Sequence, residues 1–550
     1  MTKISIGIKL ITFVFVTLSF VESINSQSFE SQIDDLISNA YNPNEPGATL
    51  LIAKDNKVIY RKAFGMANME LGVSMKPEMV FEIGSISKQF TAVSILMLVE
   101  SGKLSLQDEI TKFIPDYPTA GNKITVHHLL THTSGIKSYT EMEEWAKVWR
   151  LDYSPLEMIA IFKDEPMDFA PGDKYYYNNS AYFILGYVIE KASGMSYQKF
   201  LEEKIFEPLK MENSYYGEHT RIIPNRASGY QRQVDFVNAE YLSLTQPYAA
   251  GSIMSSVDDM LKWNEAVTSN KLVKQETINL AWTSAKLNDG KEIAYGYGWG
   301  LDDINGLKSI EHSGGIFGFS TNGIWLPEVG VYVIMLTNRD DIGPSSISTK
   351  IAAIAAGKPY PSAFQAIQYD VKELKKLIGI YKFEDGSKRT ITFDDGVLYS
   401  QRETNTRFKL IPVATNKFYY EDSFSAIEFT PQKKNKMDVI FSNRSVMSKG
   451  SKSDEKIVVV EEIKVDPKNL DKFVGEYEVQ PGFSFVVTKE DNRLMAQATG
   501  QSKFELFAKT ENRFFLKVVA AEIEFRINKD GVVDALTLFQ SGQEVLAVKK

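Results

Sequence analysis

Phe81-Glu-Ile-Gly-Ser85-Ile-Ser-Lys88-Gln-Phe-Thr91 runs straight into the apolar stretch Ala92-Val-Ser-Ile-Leu-Met-Leu-Val99. The reading of this segment decides the fold. A serine hydroxyl is a poor nucleophile at neutral pH until a neighbouring base removes its proton. Residues three apart share one face of a helix, with Cβ atoms roughly 5–6 Å apart, so Lys88 can reach Ser85. The apolar run reads as a buried helix, and Gly84-Ser85 is expected to open it. The serine would then sit where free backbone N–H groups and the helix dipole favour negative charge.

The tetrad alone is weak evidence, because Ser-x-x-Lys recurs at Ser134/Lys137, Ser196/Lys199 and Ser453/Lys456. Those pairs follow a Thr-His-Thr turn, open a polar helix and fall in a charged linker, respectively. Only Ser85 starts a long apolar helix after an extended segment.

Working outward, 550 residues are too many for one ordinary domain. A hydrophobic content of 43% supports sizeable cores. A net charge of −8 argues against a nucleic-acid partner. The chain has no cysteine, which excludes disulfides, thiol catalysis and cysteine metal sites. Its histidines are His127, His128, His132, His219 and His312, with no His-Glu-x-x-His pattern. Neither a metal nor a cofactor is expected.

Lys3 and Lys9 precede the apolar run Leu10–Val21, and polar residues follow from Glu22. This is the pattern of a secretory signal peptide, assigned to residues 1–26. The run is too short to span a membrane comfortably. The mature protein is therefore expected to be secreted or periplasmic, without a stable membrane span.

Segments Ala48–Ala53 and Lys57–Lys62 read as a hairpin, and Gly323–Pro327 and Val331–Leu336 as paired strands. Helices are expected over Ser180–Ala192, Tyr197–Ile205 and Val257–Val267. Strands at both ends with helices between them imply one sheet closed by the terminal segments, an α+β unit over residues 27–357. A Pro/Gly break follows at Gly357-Lys-Pro-Tyr-Pro361. Beyond it lies an internal repeat. Leu377-Ile-Gly-Ile-Tyr381 matches Phe473-Val-Gly-Glu-Tyr477, Arg407–Pro412 matches Lys503–Ala508, Asn416–Tyr420 matches Asn512–Leu516, and Ala426–Phe429 matches Glu522–Phe525, all at one constant spacing. Two small barrel-like all-β domains are expected at 366–456 and 463–550, with Ser448–Lys456 as the linker between them.

A serine acyl-transfer site needs a nucleophile, a base, an oxyanion site and a substrate clamp. No Gly-x-Ser-x-Gly elbow is available. Tyr175-Tyr-Tyr177-Asn-Asn179 supplies a phenol that becomes a base when nearby ammonium groups stabilise the phenolate. Asn179 is positioned to hold a substrate amide or Lys88. His312-Ser-Gly-Gly315 offers a polar side chain, a hydroxyl and a backbone N–H along a sheet edge. His127, His128 and His132 are expected to cap and order a loop below the site, and Trp299 to line the cleft or pack in the core.

With these residues in hand, the region from about 30 to 355 resembles the serine β-lactamase and penicillin-binding-protein superfamily, in its class C β-lactamase-like branch. Phe81–Ala92 looks like the nucleophile segment and Ile124-Thr-Val-His-His-Leu-Leu-Thr-His-Thr-Ser-Gly135 like the signature loop. Pro171–Asn179 looks like the tyrosine loop and Glu311–Gly315 like the third motif. The resemblance implies an antiparallel sheet flanked by helices, plus a helical region, with the site between them. It implies that Ser85 is acylated and that Lys88 and Tyr177 share the proton relay. Asn179, His312, Ser313, Gly314 and Gly315 would bind substrate, with the Ser85 and Gly315 N–H groups as the oxyanion hole.

Class C β-lactamases carry lysine and threonine where this chain has His312 and Ser313. A histidine is mostly neutral at pH 7, so the fixed cation for a substrate carboxylate is weakened. The expected activity is cleavage of small amides, peptides containing D-residues, or esters. The alternatives are a true β-lactamase or D-Ala-D-Ala carboxypeptidase, and a non-catalytic penicillin-recognising sensor. The expected partner is a small-molecule or peptide substrate, and homo-oligomerisation stays open.

Overall fold

The computed structural model describes residues 28–233, 235–358, 366–403, 405–433, 436–457, 462–480, 483–499, 501, 503–540 and 542–550. The signal-peptide assignment falls on residues outside this set. Among the described residues, no helix is long and apolar enough to cross a membrane.

The elements that build the site are α1 (Phe29–Ser38), β1 (Ala48–Lys54), β2 (Lys57–Phe64), α2 (Ser87–Glu100), α3 (Asn179–Ser193), α4 (Val257–Thr268), β3 (Gly300–Ile304), β4 (Leu307–Ile316), β5 (Phe319–Leu326), β6 (Val331–Thr337) and α5 (Ser345–Ala355). The six strands form one antiparallel sheet in the order β3-β4-β5-β6-β1-β2. Its register pairs Ala48 with both Thr337 and Phe64. Strand β1 is buried along nearly its whole length, because α1 and α5 cover one face of the sheet and α4 the other. That explains why Ala48–Ala53 reads as a continuous apolar run rather than an alternating one. Strand β2 is an edge, and it carries Lys57, Arg61 and Lys62, the charges that blunt an exposed edge.

On the α4 face a helical region packs against the sheet around α2. This helix is buried on all sides, as expected for one that is apolar all round. Helix α3 starts from an Asn178 cap whose side chain accepts the Ala181 N–H, and it ends on left-handed Gly194. It packs directly on α2. The expected helix over Tyr197–Ile205 is α-helical only to Leu201 and continues as a π turn over Glu202–Phe206.

The repeat forms two closed eight-stranded barrels. The first runs from Gly379–Phe383 to Val446–Lys452 and the second from Gly475–Gln480 to Gln543–Lys549. Tyr381 of one donates its hydroxyl to Leu377 O (2.8 Å), and Tyr477 of the other to Phe473 O (2.7 Å). The expected linker at Ser448–Lys456 is corrected: Ser448–Lys452 belongs to the last strand of the first barrel and closes it against Tyr381–Phe383. The run Ser-Lys-Gly-Ser-Lys carries no β-branched or aromatic residue to mark a strand. Gly450 is nonetheless required there, because a Cβ would lie 2.5 Å from Lys382 O and 3.0 Å from the Phe383 ring.

Candidate active site

The segment quoted first folds in two steps. Gly84–Ile86 forms a 3-10 turn and the α-helix begins only at Ser87, so Ser85 precedes α2 rather than opening it. The correction leaves the pairing intact, because residues i and i+3 eclipse one another in a 3-10 turn. Lys88 Nζ lies 3.0 Å from Ser85 Oγ. Gly84 adopts φ +51°, and its Cα faces the end of β4 so closely that a Cβ would lie 2.9 Å from Gly315 N. A side chain there would push the serine turn off the strand.

Lys88 is fully buried. Its amine has two fixed acceptors besides Ser85: Asn179 Oδ1 at 2.8 Å and the Ala250 carbonyl at 2.9 Å. Among the described residues no carboxylate pairs with it. Desolvation therefore holds its pKa well below the ordinary lysine value. A neutral amine has two N–H bonds and one lone pair. Asn179 and Ala250 take the two N–H bonds, and the lone pair is left for the Ser85 hydroxyl. Asn179 itself is held by Thr140 Oγ1, 3.2 Å from its Nδ2.

Tyr177 closes the other side. Its ring centroid is 4.8 Å from Lys88 Nζ. Its hydroxyl is buried with no hydrogen-bond partner among the described residues. Burial raises its pKa above the ordinary phenol value, with Ser85 the nearby group that pulls it back. With burial raising it, Tyr177 carries its proton as a phenol at neutral pH.

His312 is buried, and protein groups occupy both of its ring nitrogens. Nδ1 lies 2.6 Å from Ser313 O, which can only accept, so Nδ1 carries the proton. Nε2 then accepts from the Tyr295 hydroxyl at 2.9 Å. Burial first, and the nearby Lys88 second, push the imidazole down to about 4. His312 is therefore a neutral strut rather than a cation. Strand β3 pairs with β4 only as far as Glu311. The edge of Ser313–Ile316 is thus left open, with Ser313 and Gly315 exposed and Gly314 packed on Ile83 O and Thr321.

Of the signature-loop histidines, His128 completes a capping box with Thr125, and His127 Nδ1 meets the Tyr297 hydroxyl at 2.9 Å. His132 lies closer to the chemistry. It is buried in a left-handed conformation (φ +58°) with its ring 4.4 Å from that of Tyr177, and Nδ1 accepts the Asn178 N–H at 3.0 Å. Trp299 packs in the core beside Trp282. The other serine–lysine pairs have ordinary duties. Ser196 caps its helix by accepting the Lys199 N–H, Lys137 pairs with Asp168, and Ser453 accepts the Glu455 N–H. Sequence reasoning missed Tyr295, whose signal was the glycine-spaced run Tyr295-Gly-Tyr-Gly-Trp-Gly300. It also missed the Ala250 carbonyl, which has no residue-type signal at all. Among the described residues, no group of acidic or histidine side chains could hold a metal ion.

The beta-lactamase family model matches residues 33–358, the whole span that builds this site. Residues 460–549, the second barrel, match a domain of unknown function, DUF3471. Penicillin-binding protein 4* of Bacillus subtilis is 29% identical over 70% of this chain and 89% of its own length. The human mitochondrial serine beta-lactamase-like protein LACTB is 26% identical over 56% of this chain and 76% of its own. An octameric penicillin-binding protein homologue from Pyrococcus abyssi superposes with a TM-score of 0.54 at 30% identity, covering 77% of this chain and 99% of that one. A D-stereospecific amidohydrolase from Streptomyces shares the catalytic fold (TM-score 0.53, 24% identity, 60% of this chain and 99% of that one). On the span of the match and the fold that carries it, this chain belongs to the beta-lactamase family and is a serine hydrolase.

Proposed function

We infer that the protein cleaves small amides, peptides containing D-residues, or esters through an acyl-enzyme on Ser85. One observation carries this reading: the lone pair of a counterion-free Lys88 faces the Ser85 hydroxyl while fixed acceptors hold its two N–H bonds. Lys88 takes the serine proton as Oγ bonds to the substrate carbonyl carbon. The carbonyl oxygen gains charge against the N–H groups of Ser85 and Gly315, each such donor typically worth roughly 3–4 kcal/mol in the transition state. Tyr177, a phenol held protonated by burial, gives its proton to the departing nitrogen or oxygen and recovers it from Lys88. Water then releases the acyl group by the same route in reverse.

The neutral, doubly engaged His312 supports a peptidase or esterase over a β-lactamase or D-Ala-D-Ala carboxypeptidase, which would need a cation for the substrate carboxylate. A half-exposed aromatic group, Trp145, Trp149 and Phe317, stands beyond Gly315. It favours substrates with an apolar side chain on that side of the scissile bond. The apolar N-terminal run supports a secreted or periplasmic location. The octameric Pyrococcus homologue supports homo-oligomerisation, which light scattering would test.

A fluorophosphonate probe followed by peptide mapping tests the central claim. The expected result is one adduct, on Ser85, lost in Ser85→Ala while the protein stays folded. Labelling elsewhere, or none, overturns it.

A further inference from the structure

The first barrel touches the catalytic unit through a hairpin tip of unusual composition. Strands Met437–Asn443 and Val446–Lys452 are joined by Arg444-Ser445. Arg444 holds φ +55°, a left-handed conformation that a side-chain-bearing residue adopts only at a cost. At the tips Asn305-Gly306, Asp395-Gly396 and Asp491-Asn492 the left-handed residues are Asn, Asp or Gly, as turn chemistry prefers. In the second barrel the equivalent strand pair ends at Gln540 and Gln543, and the left-handed residue there is Gly542. An arginine is thus held in a strained place at one barrel's tip only, and strain of this kind points to a task.

The guanidinium lies across two strands at once. Its NH1 and NH2 grip the Glu311 carboxylate at 2.8 and 2.7 Å, and NH2 also reaches Ser309 Oγ at 2.8 Å, both on β4. Nε donates to the Asp303 carbonyl at 2.8 Å, and NH1 lies 3.3 Å from the Asp302 carboxylate, both on β3. Ser445 adds its N–H and hydroxyl to Asp302 at 3.0 and 2.6 Å. Gly300 pairs with Glu311 at the last register position that β3 and β4 share. From there the two strands fork. One arm is His312–Gly315, with the exposed edge beside Ser85. The other is the loop holding Tyr295, whose hydroxyl binds His312. Arg444 therefore staples the root of the fork whose arms form one wall of the cleft. Without it, Glu311 and Asp302 would face each other as partly buried like charges.

We propose that Arg444 is a positioning residue, through which the first barrel fixes the strand end that carries the oxyanion N–H. The catalytic half of this inference rests on the reading given under Proposed function; the positioning half does not. The physical reason is that an oxyanion donor acts only when pre-placed, and a shift of about 1 Å costs up to 100-fold in rate.

The test uses the full-length chain with Arg444→Asn, which suits the left-handed turn, and Arg444→Lys, which keeps charge without the fork. The control is Asp422→Asn. It breaks the 2.6 Å Lys350–Asp422 pair, another tie between barrel and catalytic unit away from the fork. Hydrogen exchange across 312–316 is measured by mass spectrometry, and the rate of fluorophosphonate acylation beside it. Arg444→Asn should speed exchange there and slow acylation about tenfold, with the loss in kcat rather than KM when a substrate is used. Arg444→Lys should lie between, and Asp422→Asn should match wild type. Unchanged exchange in Arg444→Asn, an equal effect from Asp422→Asn, or faster exchange with an unchanged acylation rate each overturn the proposal. A wild-type protein that takes no label sinks the catalytic reading instead. The exchange arm then still decides whether Arg444 holds the strand.

Discussion

Two basic side chains drawn largely out of water meet opposite surroundings in this chain. Lys88 has only neutral acceptors around it and loses its proton readily. Arg444 sits between two carboxylates and a carbonyl, which hold its proton more firmly than usual against the pull of burial. The same desolvation cost is met in the first region by giving up the charge and in the second by pairing it. The first solution yields a base and the second a clamp. What the neighbours offer, more than the type of residue buried, sets the task.

The strongest way to break the contrast is Lys88→Arg. A guanidinium stays protonated in any such site, so acylation of Ser85 should fall by roughly 10³-fold, measured as the second-order rate with a fluorophosphonate. A subtler change sharpens it. Asn179→Asp places a carboxylate where an amide oxygen now sits 2.8 Å from Nζ, turning Lys88 into a paired cation. Because an opposite charge raises a lysine pKa, the amine stays protonated to higher pH. The rate should drop by about 10²-fold at pH 7 and recover as pH rises. A pH–rate profile whose rising limb does not move toward alkali would show that Lys88 is not the base.

The contrast also reaches stability. His312 is buried neutral at about 4, against 6.5 for a free imidazole. Between those values the unfolded chain binds the proton and the folded one does not. Stability therefore falls as pH drops from 6.5 toward 4, by up to about 1.4 kcal/mol per pH unit for this group. Urea unfolding at pH 7 and pH 5 should show the fall, and His312→Gln should lessen it. The smallest effect is expected at a third basic side chain, the buried Arg389 in the first barrel, which lies 3.6 Å from the Phe441 ring centroid and 3.4 Å from the Tyr420 hydroxyl. The second barrel has Phe485 at the matching position, paired with Ala498 as Arg389 is with Arg402. Arg389→Phe should change the free energy of unfolding by no more than about 1 kcal/mol.

What the sequence disclosed about this site follows the range of the interactions involved. Ser85 and Lys88 were legible because three residues of spacing fix their meeting. The two β-hairpins were legible because their apolar runs are bounded by turn residues, and the barrels because a duplicated pattern is its own control. The partners of Lys88 were only half legible. Asn179 stands in a recognisable run, whereas Ala250 contributes a backbone oxygen that any residue would supply. The neutrality of His312 could not be read from its type, since it depends on Tyr295 and on burial by elements distant in sequence. The closing strand of the first barrel was hidden because its residues are chosen for a tight approach at Gly450 and for outward charge rather than for strand propensity.

The order of the main sheet carries a consequence for synthesis. Ala48 pairs with Thr337, about 290 residues downstream, so β1 finds no partner in β6 until most of the catalytic unit exists. At typical translation rates of about 5–20 residues per second, the first hairpin waits roughly 15–60 s with an apolar face uncovered. In that interval the nascent chain is a client for holding chaperones.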